Sequence, residues 1–232
     1  MFIFFRMRFK CMNFKLKNLH FWLKYPMLEM RGSKTMKALQ ELIRHLKSGQ
    51  VYRREDLEQW SNAIDRHLKQ LVEDGILEKM SQGLYYCPLK ASFGKVPPED
   101  KQLVSSFLKS YDFLLISPNL YNSLGVGTTQ LYNKLVVYNH KRHGQFKLGG
   151  KVFEFRLKHK FPKELSKEFL FVDLLNNLNE LAEDRDNVLK NVKEKVLKDP
   201  ELQMKRAVNA YAGERTKNMF NQWLTEGSLS YV

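Results

Sequence analysis

A chain of 232 residues, 43% of them hydrophobic, is long enough to bury a core in each of two modest domains. Its only cysteines, Cys11 and Cys87, are too far apart for a disulfide framework or a zinc site, which fits a reducing cytoplasm. The net charge of +14, from 39 Lys and Arg against 25 Asp and Glu, points to polyanionic partners, while no apolar run reaches the roughly 20 residues that span a bilayer.

The charge is uneven. Residues 1–35 carry 8 basic and 1 acidic side chains, 36–100 carry 10 of each, 101–160 carry 10 and 2, and 161–232 carry 11 and 12. Attraction to polyanions is therefore expected from the leader and from the middle of the chain, and any positive face within 36–100 must come from sidedness.

The leader, residues 1–35, alternates Phe, Leu and Trp with Lys and Arg, and its first five residues are too short an apolar run for a signal-peptide core. It reads as upstream sequence translated from an over-early start, with Met27, Met30 or Met36 as the true beginning, and is expected to be poorly ordered. A basic aromatic segment of this kind could also lie on a membrane surface or add nonspecific DNA affinity.

From Met36 apolar residues recur at helical spacing through Leu39, Leu42, Ile43 and Leu46, with Thr35 placed to cap the start and Gly49 the end. Val51-Tyr52 is a short extended link, and residues 53–60 form a brief helix with Leu57 and Trp60 inward. Ser61 is a good N-cap for a third helix over 62–74, which turns Ile64, Leu68, Leu71 and Val72 to one side and Asn62, Arg66, Lys69 and Glu73 to the other. After Gly75, residues 76–81 and 84–86 form two strands around a Gln82-Gly83 turn.

That order is the layout of a winged helix-turn-helix, with the hairpin as the wing. Asn and Arg near the start of its third helix reach base edges, and Lys and Arg further along meet phosphates. The expected DNA contacts are Arg53, Arg54, Ser61, Asn62, Arg66, Lys69, Gln70, Lys79 and Gln82. A three-helix unit that merely packs on another domain would show the same pattern.

Residues 88–99, with three prolines and a glycine, read as a linker without regular structure. A second domain of mixed α and β elements is expected over 100–232. Residues 100–109 are helical, 112–117 form a buried strand, and Ser117-Pro118 opens a short helix that stops at Gly125. Residues 134–139 are a strand. Two alternating runs, 145–148 and 151–158, flank Gly149-Gly150 as a hairpin, with Phe153, Phe155 and Leu157 inward and Glu154, Arg156 and Lys158 outward.

Residues 166–198 turn helical around Leu174, Leu178, Leu181, Val188 and Val192, with a break at 183–186. Asp199-Pro200 opens a last helix to Leu224, with Gly227 after it. The fold class is thus α+β, an N-terminal winged helix-turn-helix followed by a mixed domain ending in helices.

In the second domain Thr128, Thr129 and Gln130 read either as a partner contact or as side chains tying down a turn. The basic group Lys134, Lys141, Arg142, Lys147, Arg156, Lys158 and Lys160 reads as a polyanion surface, for DNA beside an operator or for an acidic protein patch.

Gly83-Leu84-Tyr85-Tyr86, the Pro97-Pro98 pair, Ser123 to Gln130 and Val136 to Gly144 together resemble the AbiE-type antitoxin family of type IV toxin–antitoxin systems, an abortive-infection module, over residues 36 to about 180. The chain departs from that pattern in reading Gly125-Val126-Gly127 where a Gly-Leu pair would directly precede Thr128-Thr129. The resemblance implies a winged helix that represses its own promoter at an inverted repeat, with a dimer one way to match it, and a C-terminal domain that neutralises a nucleotidyltransferase toxin. A solitary regulator without a toxin is the alternative.

Enzymatic signals are weak. No phosphate loop is present, and His140 and His143 have no Cys or carboxylate at ligand spacing, so neither a metal nor a cofactor is expected. Glu154 and Lys158 loosely resemble a nuclease strand, but Asp112 is the sole other acid in that block, and clustered carboxylates are needed to hold the ion.

Overall fold

The computed structural model describes residues 34–92, 94–199 and 203–229, so the expectations for the leader up to residue 33 and for a helix start at Pro200 lie outside the described residues. The fold is mixed α+β. Helix α1 (Lys34–His45) already includes Thr35, and Gly49 follows in the left-handed region (φ +82°), where the missing Cβ removes the steric penalty. Strand β1 (Gln50–Arg53) leads into α2 (Arg54–Leu57) and a single 3₁₀ turn (Glu58–Trp60).

Helix α3 (Ile64–Glu73) precedes the hairpin β2 (Glu78–Ser81) and β3 (Leu84–Cys87). The three strands form an antiparallel sheet in the order β1-β3-β2, with Val51 opposite Tyr86 and Lys79 opposite Tyr85. Alternation along these strands gives the sheet two covered faces. Tyr52, Tyr85 and Cys87 join Leu39, Leu42, Leu57, Leu68 and Leu71 of the helices, whereas Val51, Met80 and Leu84 join the second half of the chain.

Residues 88–99 are not structureless. Leu89–Ala91 (β4) pairs antiparallel with Gly94–Val96 (β5). The Tyr86 hydroxyl donates to the Val96 carbonyl (2.8 Å) and Lys95 pairs with Glu78 (2.6 Å), so this hairpin is fastened to the first sheet. Prolines 97 and 98 follow the strands rather than interrupt them, which is why their presence did not prevent pairing.

The second half is built on a four-stranded mixed sheet, order β6-β7-β9-β8, from Phe113–Ile116, Lys134–Asn139, Lys151–Leu157 and Gly144–Leu148 respectively. Helix α4 (Asp100–Leu108) covers one face, where Leu103, Val104 and Leu108 meet Val137, Phe153 and Phe155. Helix α5 (Lys167–Asn177) covers the other, where Phe169 meets Leu114, Ile116, Val136 and Tyr138.

The expected burial of Leu157 does not hold. Leu157 is the last residue of β9 and is 55% exposed. Helices α6 (Arg185–Lys198), α7 (Met204–Tyr211) and α8 (Glu214–Leu229) complete a core with α5 and the 3₁₀ turns at Pro118–Leu124 and Leu178–Glu180. The single terminal helix expected to Leu224 is thus two, parted at Ala212-Gly213, and the second runs through Gly227. The Gly213 N–H donates to Asn176 Oδ1 (3.0 Å), which anchors the break.

Two glycines join the halves. Gly149 (φ +56°) and Gly150 (φ +88°) turn the β8–β9 hairpin, and the Gly149 N–H donates to the Met80 carbonyl (3.0 Å). A Cβ at Gly149 would stand 2.9 Å from Met80 Sδ and would displace that side chain, and the positive φ favours glycine there in any case.

Candidate nucleic-acid interface

Helix α3 is two-faced because its apolar residues recur at helical spacing. Ile64, Leu68 and Leu71 are buried together with His67, while Asn62 just ahead of it and Arg66, Lys69 and Gln70 along it stand in solvent. Lys69 lies 4.0 Å from Glu73, and Arg66 forms no ion pair among the described residues. The second half meets the opposite face of the β1-β3-β2 sheet, so the outer strip of α3 is uncovered.

Ser61, expected as both cap and DNA contact, is neither. It is buried, its Oγ accepts from the Ala63 N–H (3.2 Å), and it lies 2.8 Å from His67 Nδ1, so the helix begins only at Ile64. His67 Nε2 is buried without a hydrogen-bond partner. Burial, with a smaller contribution from the nearby Arg66 charge, holds the His67 imidazole below its usual value.

The folded state resists the proton that the unfolded chain accepts near pH 6.5, so stability is full above that value and is lost as pH falls through the lowered folded one. Urea midpoints at about pH 7.5 and about pH 5 should therefore differ more for the native chain than for His67→Leu. Equal losses in the two proteins would clear His67 of that role.

Arg53 and Arg54, expected to reach DNA, are engaged within the protein. Arg53 is paired to Asp56 in a bidentate fork (2.7 and 2.9 Å) and to Glu55 (3.1 Å). Arg54 forks onto Asp65 (2.6 and 2.8 Å) and also pairs with Glu58. The hydrogen bonds from Arg54 hold the Asp65 carboxyl below its ordinary range. Lys79 and Gln82 on the hairpin are exposed.

Three members of the basic block of the second half, Lys134, Arg156 and Lys158, are turned inward, contrary to expectation. The sheet is covered on both faces, so the residues alternating with Phe153 and Phe155 meet α5 rather than water. Arg156 is 16% exposed at its side chain and donates to Glu154, Asn177 and Glu180, and Lys134 is 3.3 Å from Glu154. Burial alone would raise the Glu154 carboxyl, but Arg156 and Lys134 more than offset it and leave it low.

Lys158 reaches Asp173 (3.0 Å) across the ring of Tyr138 (3.8 Å). Lys141 donates to the carbonyls of Leu108 and Lys109 and so closes the C-terminal end of α4. Arg142 and Lys147 stay exposed, as does Lys160.

Thr128 is buried with its Oγ1 unpartnered, so it offers nothing to a partner protein. Thr129 and Gln130 are exposed, and their backbone N–H groups donate to the Glu183 carboxylate (3.2 and 3.1 Å), which ties down the turn through main chain rather than side chains. The nuclease elements are scattered. Glu154 and Lys158 belong to separate ion pairs and Asp112 sits 3.5 Å from His140. Among the described residues no cluster of three or more His, Cys, Asp or Glu is arranged to hold a metal, and no helix is long and apolar enough to cross a membrane.

One group escaped the sequence reading. Asp173, fully buried in the middle of α5, accepts from the hydroxyls of Tyr121 (2.8 Å) and Tyr138 (2.8 Å) as well as from Lys158. Burial, reinforced by the Asp173 charge, pushes both tyrosines well above their usual range, so both hydroxyls stay protonated donors. A carboxylate within Phe169-Leu-Phe-Val-Asp-Leu-Leu175 was the available signal, since a charge inside an apolar run must find partners.

No family model, no curated protein and no solved structure matches the chain.

Proposed function

We propose that this chain is a cytoplasmic DNA-binding repressor whose residues 36–87 act as a winged helix-turn-helix. The observation that carries the reading is the outer strip of α3, where Asn62, Arg66, Lys69 and Gln70 are exposed while Ile64, Leu68 and Leu71 anchor the helix from behind. The β2–β3 hairpin that follows α3 supports it, since a winged helix-turn-helix needs a hairpin after its third helix, and Lys79 and Gln82 are exposed on it. In this reading Asn62 addresses base edges and Arg66 and Lys69 address phosphates.

The role of the second half as antitoxin toward a nucleotidyltransferase toxin rests on the sequence resemblance. The inward pairing of Lys134, Arg156 and Lys158 takes these three cations out of the expected partner surface and leaves Lys141, Arg142, Lys147 and Lys160 exposed for it. Co-expression with the adjacent reading frame separates an antitoxin from a regulator without a toxin by growth rescue.

The DNA reading is tested on a duplex carrying the gene's own upstream sequence. Substituting Arg66 and Lys69 together by Ala should weaken binding and flatten the slope of log affinity against log salt by about 0.9 per lost phosphate contact. An unchanged slope removes both residues from the interface.

A further inference from the structure

We infer that the cleft between the β2–β3 turn and the second half is a second DNA contact, seating a backbone phosphate between Arg142 and Lys109 beside the Gln82-Gly83 turn. This rests on the DNA-binding reading above and extends it to the other half of the molecule.

The cleft, about 300 Å³, is lined by the cations Arg53, Arg54, Lys109 and Arg142 against the single carboxylate Glu55, with the Gln82-Gly83 turn at its edge. Arg53 and Arg54 are already matched by Asp56, Asp65 and Glu58, so Arg142 is the cation there without an acidic partner among the described residues, and a concave setting strengthens its pull on an anion relative to a flat face.

Arg142 is poised for it. Its guanidinium stacks on the Phe107 ring at 4.5 Å, and its backbone N–H is pinned to Asn139 Oδ1 (2.7 Å), yet the head group makes no ion pair among the described residues. A planar fork held by stacking, with its N–H edges unspent, suits a phosphate better than a mobile lysine does.

Lys109 is held at a cost. It is the single non-glycine with positive φ (+53°) among the described residues, at the C-terminal end of α4 where glycine is the usual choice. The side chain so placed reaches across to Glu55 (2.7 Å), which also pairs with Arg53 (3.1 Å). Glu55 thus supplies the anion in the free protein, and a phosphate would take over its cations.

The cleft also continues the strip on α3. Arg54 lines both it and the groove of about 370 Å³ at the start of α3 that includes Asn62 and Arg66. A phosphate backbone presents charge continuously along its length, so a strand leaving Arg66 runs past the Arg54–Asp65 pair toward Arg142.

The test uses the full chain and the upstream duplex over a range of salt. Arg142→Ala and Lys109→Gly should each weaken binding by up to about tenfold at low salt and lower the salt slope by about 0.9, whereas Glu55→Gln should tighten binding. Lys109→Gly suits its left-handed backbone, so it removes the ammonium without threatening the fold. If all three variants keep native affinity and slope while Arg66→Ala still weakens binding, the cleft proposal is overturned and the α3 reading stands. If the native chain fails to bind at low salt, the DNA reading falls and the cleft with it.

Discussion

Replacing Asp173 by Ala is expected to destabilise the protein by about 3–5 kcal/mol, the cost of breaking a buried ion pair by removing one member. The carboxylate is fully buried and serves three donors at once, the hydroxyls of Tyr121 and Tyr138 and the ammonium of Lys158. Its loss leaves two buried hydroxyls unpaired, each costing about 1–3 kcal/mol before relaxation, and strands a cation that is only a quarter exposed. For a chain of this size the melting midpoint should fall by roughly 6–20 °C.

The partner series separates charge from hydrogen bonding. Tyr121→Phe removes a donor and leaves the ion pair, so its cost should stay near 1–1.5 kcal/mol. Lys158→Met leaves the carboxylate buried with hydroxyls alone and should exceed that, while adding Asp173→Leu together with Tyr121→Phe and Tyr138→Phe should recover stability, because an all-apolar cluster of similar volume avoids the desolvation penalty and leaves no donor unpaired. Urea denaturation reads all of these. An Asp173→Ala protein within about 1 kcal/mol of native would show that the cluster contributes no net stability.

How much of this was legible depended on whether one face or two were covered. The Gly149-Gly150 hairpin, the Pro118–Leu124 turn ending at Gly125 and the inward set of α3 were readable because local chemistry decides them: positive φ, a fixed proline φ, and helical spacing. The role of Arg156 and Lys158 was not. Alternation along β9 told which residues share a face with Phe155, but whether the other face meets water depends on α5, a helix that begins ten residues after the strand ends.

The same limit applied to Arg54 and Ser61, whereas Arg53 is held by its sequence neighbours Glu55 and Asp56. The residue types of Arg54 and Ser61 suit DNA and caps, and only the fold of α2 against α3 shows that Asp65 and His67 are within reach of them. Residues 88–99 were misread for a different reason, since prolines flanking a strand leave its hydrogen bonds intact.

Arg54→Ala should weaken DNA binding more than Arg66→Ala, by about a hundredfold rather than about tenfold at low salt, although Arg54 is not itself free to contact the duplex. Residues 36–100 carry as many carboxylates as cations, so a positive face exists there only if the carboxylates are neutralised in place. Arg54 does this for Asp65 and Glu58, both beside the start of α3 where the helix dipole would otherwise receive a phosphate. Removing it subtracts one positive charge and exposes two negative ones at the point of contact, whereas removing Arg66 subtracts one charge and exposes none. Adding Asp65→Asn and Glu58→Gln to Arg54→Ala should therefore restore affinity to within a few-fold of native, and the pair alone should raise it. Should the triple variant bind as poorly as Arg54→Ala, Arg54 would have to act on the phosphate directly, through a side chain released from Asp65 on binding.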